Sequence, residues 1–150
     1  MCPTNEPPVA EAAKCKRWHE RRIGQRAEDA ERLGIPLIIS EFGACLTDEP
    51  CTQEIRQVTE VCDSNLVGWA YWEFKTYQDL TTSAGTGSEG FYNKDGSLQD
   101  YKVKALARSY LMATQGVPTR NHFNMLNSQF HADFTVDTTI QAATVIYLNQ

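Results

Sequence analysis

Apolar positions recur along this chain with two periods, one that of helices and one that of strands. From about Glu11 to Leu33 a mostly polar stretch carries Cys15, Trp18, Ile23, Ala27, Ala30 and Leu33 at spacings near three and four, which predicts one apolar helical face. Gly34 stops that helix and Pro36 follows two residues later, the usual punctuation of a helix end. Leu37 to Glu41 is then a short run too apolar to face water on either side, which predicts a strand of a helix-covered parallel sheet. Thr47 or Asp48 can cap a second helix with Pro50 in its first turn, and Ile55, Val58, Cys62 and Leu66 are expected on one of its faces. "LVGWAYWEF", Leu66 to Phe74, is short and aromatic and reads as a second buried strand. In "SLQDYKVKALARSYLMATQGVP", Val103, Leu106, Ala107, Tyr110 and Leu111 fall at i, i+3, i+4, i+7 and i+8, so a last helix is predicted, ended by Gly116 and Pro118.

The order is helix, strand, helix, strand, helix, which implies an α/β fold with parallel strands and right-handed crossovers. After Pro118 the period changes to two: Phe130, Ala132, Phe134 and Val136 alternate with Gln129, His131, Asp133 and Thr135. "TTIQAATVIYL" reads as a further strand. Two strands alone are not independently stable, so the tail is expected to open a β-rich domain. The chain therefore divides into an α/β part, residues 1–116, and the beginning of a β-rich accessory domain, residues 117–150.

Composition narrows the classes. Lys and Arg number 14 against 19 Asp and Glu, a net charge of −5, where a nucleic-acid binder usually shows a basic stripe. No apolar stretch approaches the ~18 residues of a membrane span, and no signal peptide opens the sequence. Five cysteines, Cys2, Cys15, Cys45, Cys51 and Cys62, allow two disulfides and one free thiol, or none, with a lean towards an oxidising compartment. No Cys/His spacing suggests zinc, and neither metal nor cofactor is predicted. Two motifs are decoys. "GTGSEG", Gly85 to Gly90, matches a dinucleotide fingerprint but sits about a dozen residues past its strand and opens no helix, so it reads as a loop. "TNEPP" offers Glu6 beside Asn5 and Pro7, but no apolar strand precedes it.

Glu41 is the candidate that matters. An ionisable group beside an apolar strand is costly unless it is paired or at a surface. In parallel barrels the active site gathers at the C-terminal strand ends, where Glu41 would stand, with Gly43 permitting a sharp turn. Period two puts Leu37, Ile39 and Glu41 on one face, assigned to the barrel interior. The alternative is a Glu that merely starts a loop or pairs with an Arg. In the second strand Gly68, Ala70 and Trp72 share one face and Trp69 and Tyr71 the other, so Trp72 can form an aromatic platform at the rim, while Trp69 suits a core. Glu73 and Lys75, just beyond, can hydrogen-bond a sugar hydroxyl or be solvated rim charges.

Together, "PLIISEFGA", "GWAYWEFK", the turn "YNKDGSL" and the last helix resemble the C-terminal part of glycoside hydrolase family five, nearest its endoglycoceramidase-like and eukaryotic cellulase-like members, over about Cys15 to Gly116. The resemblance implies the last two βα units of a (β/α)8 barrel followed by the start of a β-sandwich. It implies Glu41 as the catalytic nucleophile, Trp72 lining the subsite of the attacked sugar, and retention by double displacement on a β-glucoside or glycolipid. The family's acid/base and its first six strands have no counterpart here, so the missing barrel portion is expected upstream. The full-length protein is expected outside the cell or in the lysosome. The alternatives are an inactive truncated product or carbohydrate-binding remnant of the same ancestry, and an unrelated α/β interaction domain.

Overall fold

The computed structural model describes residues 9–45, 48–77, 79–82 and 88–149. The decoy residue Glu6 and half of the Gly85–Gly90 motif, residues 85–87, lie outside them. A 3-10 turn, Val9–Glu11, leads into α1, Ala12–Leu33. Cys15, His19, Ile23 and Ala30 are its buried stripe. Leu33, expected on that stripe, is exposed, whereas His19, which no apolar pattern marks, takes a place on it. The ring of His19 is accommodated by Glu54 of the next helix, with Nε2 2.7 Å from Oε1. Gly34 closes the helix in the left-handed conformation, φ 67°, and the N–H of Ile35 donates to the carbonyl of Ala30.

Two short strands follow the first two helices and pair in parallel: β1, Ile38–Ile39, and β2, Gly68–Trp69, with Ile38 opposite Gly68 and Ile39 opposite Trp69. The helix between them is α2, Asp48–Ser64, which packs on both α1 and β2. Leu37, Ile39, Phe42 and Trp69 pack against Ile23, Val58, Val61, Cys62 and Val67, so they face the helices. Ile38 is 61% exposed and Gly68 and Ala70 are exposed, so they lie on the uncovered face. This corrects one expectation: Leu37 and Ile39 point to the helices rather than to a barrel interior. Among the described residues the helices cover one side of the strand. Leu66 also leaves the expected face of α2: the helix ends at Ser64, and Leu66 sits exposed in a turn with φ 51°. Val67 takes the core position instead, its N–H donating to the Cys62 carbonyl at 2.9 Å.

The longest expected helix is mostly not helical. Only α3, Asp100–Leu106, forms, and Tyr110–Ala113 is strand β3. Of the face the periodicity marked, Leu106 packs on the core but Val103 is exposed, while Lys102 and Ala105 are buried. Arg108 explains the break. It is buried and pairs with the buried Asp63 of α2, donates to Thr59 Oγ1 at 2.9 Å and to the carbonyl of Phe123 at 3.2 Å, and lies 5.4 Å from the Phe123 ring centre. A helix continued through Ala107 would carry this guanidinium round its own axis, so the backbone turns extended there. Beyond it, β4, Gly116–Asn124, pairs antiparallel with β5, Gln129–Val136, and β3 pairs with β6, Val145–Tyr147. The period of two in β5 holds for Phe130, Ala132 and Phe134, half-buried between exposed polar neighbours, and stops at Val136, which is exposed. Gly116 opens β4 rather than closing a helix. Its φ of 146° and the Thr135 carbonyl against the position of a side chain leave room for glycine alone. No helix among the described residues is long and apolar enough to cross a membrane.

Cys45 and Cys51 form a disulfide, and Cys15 is disulfide-bonded as well. Cys62 is the free cysteine among the described residues, and burial pushes its thiol up to about 12. It should therefore resist alkylation at pH ~8, where an ordinary thiol near 8.5 reacts, and react once the protein is unfolded; mass mapping of the labelled peptide checks this. Arg108→Met should cost about 3–5 kcal/mol in urea unfolding, because it leaves the Asp63 carboxylate buried without its cation. The double change Arg108→Met with Asp63→Leu should recover much of that loss.

Candidate active site

Glu41 lies two residues past β1 and is exposed. It shares no face with Leu37 and Ile39, because the strand alternation slips by one between Ile39 and Phe42. Phe42 turns to the helix side, where its ring meets Trp69 and Tyr71 edge-on at 5.7 and 5.5 Å. That slip releases the carboxylate from the apolar face, which answers the energetic objection to a charge at the end of an apolar run. Gly43 then brings the same loop against the end of the second strand. The N–H of Trp72 donates to the Phe42 carbonyl at 2.8 Å, and Gly43 and Trp72 form a parallel bridge. With φ 153° and the Trp72 carbonyl packed where a side chain would begin, Gly43 admits no other residue without moving the loop. The backbone carrying Glu41 and the backbone carrying Trp72 are thus laced together, as the two sequence motifs require.

Trp72 is half-buried, and its peptide bond to Glu73 is cis. Trp69, by contrast, packs in the core. Glu73 is 5% exposed, so it is not a solvated rim charge. Its N–H donates to the Glu89 carbonyl at 3.4 Å, and its Oε2 has no hydrogen-bond partner among the described residues. Burial, and then the neighbouring carboxylates of Glu89 and Asp79, raise its pKa above the ordinary value, against a lowering hydrogen bond from Thr76. Asp79 moves the other way, lowered by hydrogen bonds from the side chains and N–H groups of Thr81 and Thr82, with the Thr81 hydroxyl leading. Lys75 is exposed, with its ammonium 5.2 Å from the Tyr77 ring centre.

The segment after Trp72 is irregular among the described residues, apart from a bridge between Tyr92 and Leu98 that closes a turn at Asn93–Ser97. Phe91 stacks on Tyr71 at 5.3 Å, while Tyr92 is exposed and meets Phe74 edge-on. Sequence reasoning missed the groups that hold this segment. The Tyr71 hydroxyl donates to the Glu89 carbonyl at 2.9 Å, the Gln99 side chain to that of Gly90 at 3.0 Å, and the buried Lys102 to those of Ser88 and Gly90. A buried lysine breaks the apolar period of its helix, and that break was the one available signal. A cavity of about 610 Å³ lies elsewhere, around Leu66, Gly68 and Arg108 at the start of β2, and none of the predicted site residues lines it. No cluster of three or more His, Cys, Asp or Glu among the described residues is arranged to hold a metal ion.

Comparison with known proteins turns this geometry into a family. The family described as Cellulase (glycosyl hydrolase family 5) matches residues 3–78, and the Glycoside hydrolase family 5 C-terminal domain matches residues 108–150. The chain belongs to glycoside hydrolase family 5. Endoglycoceramidase I of Rhodococcus hoagii is 30% identical over 105 residues, 70% of this chain and 17% of that protein. The solved endo-glycoceramidase II from Rhodococcus sp., as its lactosyl-enzyme intermediate, is 28% identical with a TM-score of 0.62 over 82% of this chain and 26% of its own. Sterylglucosidase 1 of Cryptococcus neoformans shares the fold at a TM-score of 0.69 and 18% identity, over 92% of this chain and 25% of its own. The chain thus spans about a quarter of these solved relatives and less of the curated one.

Glu73 gives a pH prediction. Because its folded pKa is raised, the folded protein holds this proton to higher pH than the unfolded chain does. Stability is therefore lost as pH rises from the ordinary carboxylate range through the raised folded value. Glu73→Gln carries no such penalty. It should gain stability relative to the parent on going from pH ~4 to pH ~7.5, measured by urea unfolding at both. An equal difference at the two pH values would contradict the assignment.

Proposed function

We propose that this chain forms the C-terminal part of a retaining β-glycosidase, contributing the seventh and eighth strands of its barrel, and that residues 117–150 begin a β-sandwich behind it. Glu41 is the nucleophile, Trp72 lines the subsite of the attacked sugar, and Lys75 hydrogen-bonds a sugar hydroxyl. Glu73 is assigned to the support of Trp72 rather than to the sugar, because its carboxyl is buried. The observation that carries the reading is the lacing of Gly43 to Trp72, with an exposed carboxylate two residues before Gly43. It joins the two motifs that a family 5 site needs.

In double displacement the ionised Glu41 attacks the anomeric carbon while a protonated carboxyl, ~5–5.5 Å from it, donates to the leaving oxygen. Water then hydrolyses the glycosyl-enzyme ester, with the second carboxyl acting as base. The nucleophile must be ionised and its partner neutral, so the two need different surroundings. Solvent exposure suits the first. We assign the second to the barrel portion upstream. For the substrate we favour a sugar β-linked to a lipid, since the names of two relatives, endoglycoceramidase and sterylglucosidase, specify sugars on ceramide and on sterol. The Cys45–Cys51 disulfide supports an extracellular or lysosomal site for the whole protein.

Release of nitrophenol from an aryl β-glucoside tests the reading. This chain alone should give no measurable turnover, since a positioned proton donor contributes ~10²–10⁴-fold. A longer protein that includes the upstream barrel should turn over, and Glu41→Gln in it should abolish the activity, because an amide cannot form the ester. Turnover by the Glu41→Gln protein would place the chemistry elsewhere.

A further inference from the structure

Lys102 is fully buried on the short helix α3, one turn after Gln99. A buried ammonium is expensive unless its protons are taken up. Here Nζ donates to the carbonyl of Ser88 at 2.7 Å and to that of Gly90 at 3.1 Å. We propose that Lys102 is a positioning residue of the candidate active site, its ammonium fixing the backbone of residues 88–91 as the spacer that sets the Glu41 loop against the Trp72 segment. The proposal rests on the glycosidase reading for its effect on catalysis, but not for its geometry.

Each residue of the spacer is tied to something that matters. The Ser88 carbonyl also accepts from the N–H of Cys45, four residues past Glu41, at 3.0 Å. The Glu89 carbonyl accepts from the Tyr71 hydroxyl at 2.9 Å and from the N–H of Glu73 at 3.4 Å. The Gly90 carbonyl accepts from Gln99 Nε2 at 3.0 Å, and a side chain at Gly90 would meet Lys75 Cα at 3.3 Å. The N–H of Phe91 donates to the Phe74 carbonyl at 3.0 Å, and its ring stacks on Tyr71. Four consecutive residues therefore touch the Glu41 loop on one side and residues 71–75 on the other. Neither side grips the spacer through regular secondary structure. Lys102 holds it from beneath at two alternate carbonyls, and a single point charge with several donors suits that task. An apolar side chain there leaves each of these carbonyls with one donor in place of two, so the spacer shifts and the two site segments lose their register.

The test uses the full-length protein that contains this chain, with Lys102→Met and, as a control, Val58→Ala in the core under β2. Amide hydrogen exchange is followed at Cys45, Trp72, Glu73 and Phe91, and kcat and KM on an aryl β-glucoside. In Lys102→Met exchange at those amides should speed up about tenfold. At the same time kcat should fall roughly tenfold to a hundredfold with a smaller change in KM. Val58→Ala, at equal or greater loss of thermal stability, should leave both readouts near the parent's. If Lys102→Met does not fold, Lys102→Gln, whose amide still donates to a carbonyl, should fold and show a smaller effect of the same kind. Unchanged exchange at the four amides, or the same exchange and kcat in Val58→Ala, overturns the proposal. So does failure of both Lys102 variants to fold under conditions where Val58→Ala folds, since the residue is then only structural. An inactive parent would instead defeat the glycosidase reading, with the exchange comparison still deciding the role of Lys102.

Discussion

Arg108 is a cation almost wholly withdrawn from water, and its partners come from two stretches of chain: Asp63 and Thr59 on α2, and Phe123 at the end of β4. Asp63 in turn accepts from the Phe123 N–H at 3.1 Å, so the pair also satisfies a buried backbone donor. Removing the constraint would leave an uncompensated charge in the core. Much of the architecture follows from it. It forces the backbone out of the helix at Ala107, it starts β3 where a helical period would have run on, and it anchors the β-rich end of the chain to the helix that covers β2.

The candidate site is built at the opposite end of β2 and depends on close backbone approach. The slip of alternation between Ile39 and Phe42 lets one loop do two things at once. Phe42 stays in the core, where its ring meets Trp69 and Tyr71, while Glu41 goes to solvent. Gly43 permits the next step, the contact with Trp72. A carboxylate that serves as nucleophile must be ionised and accessible, and an aromatic platform must be stiff. The loop leaves Glu41 exposed and ties the Trp72 backbone through the bridge, with Glu73, Glu89 and the 88–91 spacer filling the space behind. The charged groups that matter here divide by solvation: Glu41 and Lys75 in water, Glu73 and Lys102 out of it.

Local pattern carried a good deal of this. The first helix and its glycine stop, the two parallel strands, the alternation of β5, and the two motifs around Glu41 and Trp72 were all legible, because each depends on side chains a few positions apart. The aromatic pair was legible too: Trp69 in the core and Trp72 at the end of the strand follow from period two. What failed were inferences in which apolar spacing had to predict a partner. Val103 looks like part of a helical face together with Leu106, yet it is exposed and α3 buries Lys102 instead, because carbonyls 12 and 14 residues away need its protons. Leu37 and Ile39 look like barrel-interior residues, yet α1 and α2 cover them.

The sequence by itself thus determined the family and the element order up to β2, and it singled out Glu41 and Trp72 as candidates, since these reside in contiguous motifs whose chemistry is local. Only the tertiary structure decided which face of β1 is covered, where the last helix ends, and what holds the two halves of the site in register. Those outcomes turn on buried charges, Arg108 and Lys102, whose partners lie far away along the chain. A charge out of water settles wherever its hydrogen bonds can all be met, and no local periodicity records where that is.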